Sequence, residues 1–528
     1  MKQKIKNINK TAFIILSLYS LFIIWSRTFL SQENFPSFFQ SILFLICACG
    51  LSFLYFQLFS KKWFDIKPNQ KISKKNFFIP LIISLTVLYL YYFAYYPGIM
   101  VYDSIEQIRQ ITENSYSNWH PFIQTFLFYK IPLEIFNFRV ESIVFIQNIY
   151  FSLAFSYMIY VLRKLNYPKK LCIINIIISL FSYYAVLTVS PQKDSSFTIF
   201  TMLTFSFYIQ ICYIKNYLTV TKAIIFGIIL TLCSLVRNNA PLYTFFIILN
   251  LFILAKSKTK YIFISILTAL ISYLIIEFPL QSFYNVKKLK MEEYFVLETS
   301  GIPFMMIGKI AKENWNEIPK NEQILLNKIL PKEKWRKYYH DESNWNGIKW
   351  GSNMDLINKM KYKDIFKLTY NVVKIAPQKA IFEIIHVTQF LWNIGKNSNY
   401  FKKENVYYNT KEIPQYKELD IIYKANEYNL NIKYIPKTLI KYSQNILYVL
   451  EDIYKNIPFL HSIGIYLYIL IIMMFTHFSK NSLHALPVLS YICGTALLLT
   501  TKETRFFTAM WFVIQPTIFI TMAKKIKN

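Results

Sequence analysis

Glycine is scarce in this chain, with ten residues in 528. That leaves no G-x-G-x-x-G and no Walker-type loop, which excludes the usual backbone cradles for nucleotide phosphates. Cysteine is scarce too. The six residues Cys47, Cys49, Cys172, Cys212, Cys233 and Cys493 all fall inside apolar runs, where a thiol behaves as a small hydrophobe. They give no disulfide framework and no zinc-ligand spacing, and the C-x-C pair at Cys47 and Cys49 puts its thiols on different faces of a helix. Acids are few, 29 against 59 Lys and Arg, for a formal net charge of +30. In a soluble protein that excess would point to nucleic acid. Here the cations sit between long apolar runs rather than along one exposed face, so no nucleic-acid partner is expected.

Apolar residues are abundant. The chain is 54% hydrophobic and 18% aromatic, only 17% charged, and has a mean hydropathy of +0.29, which excludes disorder and a fibrous repeat. The composition predicts an all-α polytopic membrane protein. About twelve apolar runs have the roughly 17–25 residues needed to cross a bilayer as helices. They lie near 12–30, 38–58, 77–96, 142–162, 171–189, 196–214, 221–236, 240–255, 261–279, 460–478, 482–500 and 505–523. The first run has Arg27 near its end and no small-residue cleavage site, so it reads as an uncleaved anchor.

The distribution of cations orients these spans. With Lys2, Lys4, Lys6 and Lys10 in the cytoplasm, the cytoplasmic connections carry about 23 basic residues against a single acid, Asp65. The short outer connections carry about 7 basic residues against about 8 acids. Both termini are then cytoplasmic in the cell membrane, and a large segment lies outside. The chain divides into an N-terminal transmembrane module over 1–280, with an outer loop at 97–141, an extracytoplasmic domain over 281–457 and a three-span module over 458–528. The outer segment is polar, carries Trp315, Trp335, Trp345, Trp350 and Trp392, and shows short amphipathic runs, so it is expected to be mainly helical. Within it, Ala376–Ile394 is apolar with Pro377 placed to start a helix. Glu383 and His386 fall mid-run and favour a position along the membrane surface over crossing. Ile435–Tyr454 reads as a second interfacial helix.

The polar clusters at span ends all face outside in this topology. After Pro97-Gly98, which favours a turn, a surface helix holds Asp103, Glu106 and Gln107 on one side. A carboxylate at the bilayer edge is partly desolvated and makes a candidate proton acceptor; the alternative is a helix cap followed by a solvated face. His120, before Pro121, is a candidate acceptor contact or metal ligand, or a cap for the helix that Pro121 opens. In Ser190-Pro191-Gln192-Lys193-Asp194-Ser195, Lys193 suits a phosphate, and Asp194 suits a helix cap or a metal; an ordinary self-neutralised turn is the alternative. Arg237, in Arg237-Asn238-Asn239-Ala240-Pro241, has no acid nearby in sequence and calls for an anionic partner such as a lipid phosphate. The last outer turn adds Lys502, Glu503 and Arg505, which would serve a site or simply pair with each other and snorkel.

These residues resemble a known pattern. The Asp103 loop running through His120-Pro121, the Ser-Pro-x-Lys-Asp turn at Asp194, the Arg-Asn-Asn turn at Arg237 and the Glu-Thr-Arg turn at Arg505 look like the GT-C superfamily of integral membrane glycosyltransferases, in particular a bacterial branch of it. The resemblance covers most of the chain through short motifs. An extra pair of spans before the Asp103 loop departs from the simplest pattern. What it implies is a GT-C-like fold and an inverting hexosyl- or pentosyltransferase of cell-envelope biogenesis. Such an enzyme takes a sugar from a polyprenyl-phosphate carrier and passes it to a glycan, glycolipid or protein acceptor at the outer face of the bilayer.

The resemblance makes 97–141 the catalytic outer loop and Asp103 the single general base, since a lipid phosphate is already a good leaving group. Lys193, Arg237 and Arg505 would bind the substrate phosphate and stabilise its growing charge. Glu106, His120, Asp194 and Glu503 would be acceptor contacts or auxiliary groups, with a divalent metal ion on Asp103, Asp194 and His120 left open. The alternatives are a lipid-linked polysaccharide polymerase or ligase, a flippase or transporter of a lipid-linked or anionic substrate, and a purely structural membrane scaffold. Transport fits less well, because the spans hold few mid-membrane charges, Glu277 being one near an end, and the halves show no repeat.

Overall fold

The computed structural model of the chain describes residues 2–32, 35–59, 65–68, 72–288, 296–339, 343–393, 430–433, 435–476, 480–500 and 503–523. The described residues are mainly helical and include no strand; isolated bridges join Ser117 with Lys287 and Arg139 with Asn431. Each expected apolar run falls largely on helix. Five helices are long and apolar enough to cross a membrane: Ala12–Gln32, Lys75–Ala94, Glu141–Lys164, Lys193–Tyr213 and Lys256–Phe283. Shorter apolar helices cover Phe38–Ser52, Val220–Leu235, Ala240–Leu254 and Ile463–Phe475. Several apolar helices thus suit a membrane protein, but about twelve full-length spans do not emerge among the described residues.

The physical reason is local interruption. The run at 171–189 stops after Lys169–Leu180 and restarts at Tyr183, where the Ser182 hydroxyl accepts from the Ala185 backbone N at 3.3 Å and opens a new helix. Leu486–Leu497 and Thr508–Thr521 each come after a tighter 3-10 stretch. A 12-residue helix rises only about 18 Å, against a hydrocarbon core of about 30 Å. An unbroken apolar run therefore marks a buried segment without guaranteeing one continuous helix.

The chain forms two compact units. One combines 1–60, 290–394 and 492–504. In it, the tryptophans of the polar segment build a core: Trp335 and Trp345 are fully buried, Trp392 and Trp315 nearly so, and only Trp350 is exposed. Trp345 stacks on Phe304 at 5.0 Å and donates its indole N–H to the Leu297 carbonyl at 3.1 Å. The helix expected from Pro377 runs over Pro377–Trp392 and packs on the first helix of the chain through Phe22 and Trp392, 5.9 Å between rings. Its mid-run Glu383 is buried and accepts from the Ser343 backbone N at 3.1 Å and from its hydroxyl at 3.0 Å. The protein itself meets the charge that the sequence offered to a membrane surface.

The other unit combines 61–289, 395–491 and 505–528. The helix Lys193–Tyr213 runs through its middle, almost entirely buried, packed by Glu141–Lys164, Val220–Leu235, Ala240–Leu254 and Thr508–Thr521. Two of its hydroxyls turn back on the helix: Thr198 donates to the Asp194 carbonyl at 2.7 Å and Ser206 to that of Met202 at 2.6 Å. Such i−4 bonds let Ser and Thr sit in apolar surroundings without stranded donors. The helix expected from Ile435 covers Lys437–Asn456, lies against Lys75–Ala94, and exposes Leu439, Tyr442, Tyr448, Val449 and Ile453.

Candidate functional site

The turn after Lys75–Ala94 needs its glycine. Gly98 has φ +132°, and a Cβ there would collide with Val144 Cγ2. From this turn Ile99 donates its backbone N–H to the Val189 carbonyl at 3.3 Å, and Ser190 returns a hydroxyl hydrogen bond to the Ile99 carbonyl at 2.8 Å. The segment leading into Asp103 is thereby stitched to the Ser190–Asp194 turn, about 90 residues later. Beyond it, Tyr102–Thr112 forms a helix whose inner side buries Ile105, Ile108 and Ile111, so it is more than a solvated face.

Asp103 and Glu106 sit half-buried on that helix, and Gln107 is buried. The two carboxylates differ in what holds them. Arg109 grips Glu106 with two N–H groups, Nη2 to Oε1 at 2.6 Å and Nε to Oε2 at 2.9 Å. Those hydrogen bonds hold the Glu106 carboxyl below its usual range against the opposing effect of burial. Among the described residues the Asp103 carboxylate has neither a hydrogen bond nor an ion pair. Of the two, Asp103 is the group left to accept a proton.

His120 is buried, and Asp103, Lys193 and Glu106 all act on its charge. Burial pushes the imidazole below 6.5; Asp103 and Glu106 pull it up and Lys193 pushes it down. The unfolded chain therefore takes this proton at a higher pH than the folded one. The resulting stability is fully present above about pH 6.5 and is lost as pH falls toward the folded value. The thermal midpoint of His120→Gln in detergent should fall less than that of the wild type between about pH 7.5 and 5.5; parallel curves would remove His120 as the source.

The cations gather around a second centre in the same unit. The sequence sets no acid near Arg237, but the fold brings one. Arg237 Nη1 forms an ion pair with Asp194 Oδ1, both side chains being nearly inaccessible, and Nε donates to Asn239 Oδ1 at 2.7 Å. Arg237 is thus not an unpaired guanidinium, and Asp194 is matched by an arginine 43 positions away. Asp194 also lies in the first turn of its helix, where a negative charge is favoured. The guanidinium carbons of Arg237 and Arg505 each stand 5.3 Å from the centroid of the Phe506 ring, and Arg505 Nη1 donates to Gln192 Oε1. Lys193, half-buried at the start of the same helix, completes the group.

The chain matches no family model, no curated protein and no solved structure. Asp103, Glu106, His120, Lys193, Asp194, Arg237 and Arg505 share one compact unit, while Glu503 belongs to the other and Lys502 lies outside the described residues. Among the described residues no three His, Cys, Asp or Glu side chains converge as metal ligands, so Asp103, His120 and Asp194 do not make a three-ligand set. Sequence reasoning missed Gln192 and Phe506. Gln192 is the unassigned position within the Ser-Pro-x-Lys-Asp motif, and Phe506 directly follows the Glu-Thr-Arg motif.

Proposed function

We propose that the chain is a membrane glycosyltransferase. It moves a sugar from a polyprenyl-phosphate carrier to an extracytoplasmic cell-envelope acceptor, with inversion and a single base. One observation carries the reading: a half-buried carboxylate, Asp103, held by no hydrogen bond or ion pair among the described residues and tied through the Ile99–Ser190 hydrogen bond to the turn that bears Lys193 and whose Gln192 meets Arg505. The acceptor hydroxyl gives its proton to Asp103 as its oxygen bonds to the anomeric carbon. The bond from that carbon to the phosphate oxygen breaks, and the electron pair leaves with the lipid phosphate. Arg505 and Lys193 would meet the phosphate, and Arg237, paired with Asp194, would add to the local positive field. The topology that goes with this reading has both termini in the cytoplasm and the site on the outer face.

Mass spectrometry of cell-envelope glycans with and without the chain tests this. The expected result is loss of one sugar at a defined attachment point, restored by purified protein in nanodiscs supplied with the polyprenyl-phosphate sugar. Movement of substrate across proteoliposomes with no new glycosidic bond would replace the reading with a carrier.

A further inference from the structure

Gln192 occupies the variable position of the Ser-Pro-x-Lys-Asp turn and is buried, which is unusual for an amide side chain without a packing role. Its two ends are used differently. Nε2 donates to Ser190 Oγ at 2.9 Å, and Oε1 accepts from Arg505 Nη1. Ser190 fixes the orientation of the amide. Its hydroxyl spends its only proton on the Ile99 carbonyl at 2.8 Å, so toward Gln192 it can only accept. The amide nitrogen must face Ser190, and the oxygen must face the guanidinium. Ser190 is itself held, its carbonyl accepting from Ser195 Oγ at 2.7 Å and Gln147 Nε2 at 3.2 Å. An unbroken chain of hydrogen bonds thus runs from Arg505 through Gln192 and Ser190 to the backbone of Ile99, four residues before Asp103.

We propose that Gln192 is the positioning residue for Arg505, holding the phosphate-binding guanidinium in fixed register with the segment that carries Asp103. This rests on the reading of Arg505 as a ligand for a polyprenyl phosphate. An arginine side chain has four rotatable bonds, and an acceptor of set orientation reduces the freedom lost when the phosphate arrives. A hydrogen bond to a charged group makes a loss of about tenfold in affinity the expected scale when it is removed.

The test measures binding of a sugar-free polyprenyl phosphate to the full-length protein in nanodiscs. Wild type should bind. Gln192→Ala and Arg505→Ala should each weaken binding by about tenfold, whereas adding Gln192→Ala to Arg505→Ala should change it by less than about twofold. If the full effect of Gln192→Ala persists without Arg505, Gln192 is a packing residue and the inference falls. If wild type binds and Gln192→Ala binds equally well, the inference falls alone. If wild type binds no polyprenyl phosphate, the functional reading falls and takes the inference with it. Should Gln192→Ala fail to fold, Ser190→Ala removes the anchor while leaving the contact to Arg505, and should weaken binding by about threefold only where Arg505 is present.

Discussion

Replacing Asp103 by Asn should lower the rate of sugar transfer by about 10²–10⁴-fold, the range expected for loss of a general base, while leaving donor binding and the thermal midpoint close to those of the wild type. The separation comes from the environment of the carboxylate. Asp103 is half-buried and engaged by no hydrogen bond or ion pair among the described residues, so Asn fits its place without stranding a partner. Glu106 makes the matched control. Its carboxylate is bound twice by Arg109, so Glu106→Gln should disturb the exposed side of that helix with at most a few-fold effect on rate. Purified variants given a radiolabelled polyprenyl-phosphate sugar would show the contrast. Wild-type turnover by Asp103→Asn would remove it as the base, and a larger loss at Glu106 would exchange their roles.

The second large effect concerns folding. Arg237→Ala leaves Asp194 as a buried charge with its cation gone, which is expected to destabilise the protein by roughly 3–5 kcal/mol. Asp194→Asn should act similarly from the other side. Removing both charges together, as Asp194→Asn with Arg237→Ala, should destabilise less than the two single changes added, because neither charge is then left alone. Denaturant titration in detergent, together with the thermal midpoint of each variant, reads this directly. Additive losses would mean that the two residues act on stability separately. The pairing also bears on donor binding: a weak-binding Arg237→Ala protein has to be compared at equal folded fraction before its loss is assigned to the phosphate.

Much of the helical nature of the chain was legible from its apolar runs, since each one falls largely on helix. Their continuity was not. Ser182 opens a new helix two residues after Leu180, and an apolar run gives no warning that its backbone restarts. The polar turns around Asp103, Lys193, Arg237 and Arg505 could be picked out because charged residues at the ends of apolar runs are conspicuous. Who pairs with whom was invisible, because an ion pair between positions 194 and 237 depends on tertiary packing and leaves no local spacing. The same holds for Glu383, whose partner Ser343 lies 40 residues away. The tryptophans of the polar segment show the limit of composition from the other side: amphipathic rings suit an interface belt, yet Trp335 and Trp345 anchor a core.

The central helix Lys193–Tyr213 has a consequence for how the chain is made. Thr198 and Ser206 bond back to the helix itself, but Gln210 reaches outward, donating to the Tyr157 hydroxyl at 2.9 Å and the Tyr217 hydroxyl at 3.1 Å. One face is sealed by Thr508–Thr521, synthesised about 300 residues later. Until that last helix arrives, a nascent chain holds a hydroxyl-rich segment with one side open. A chain truncated before Thr508 is therefore expected to leave that side of Lys193–Tyr213 uncovered, so the unit closes only once its C-terminal segment has been made.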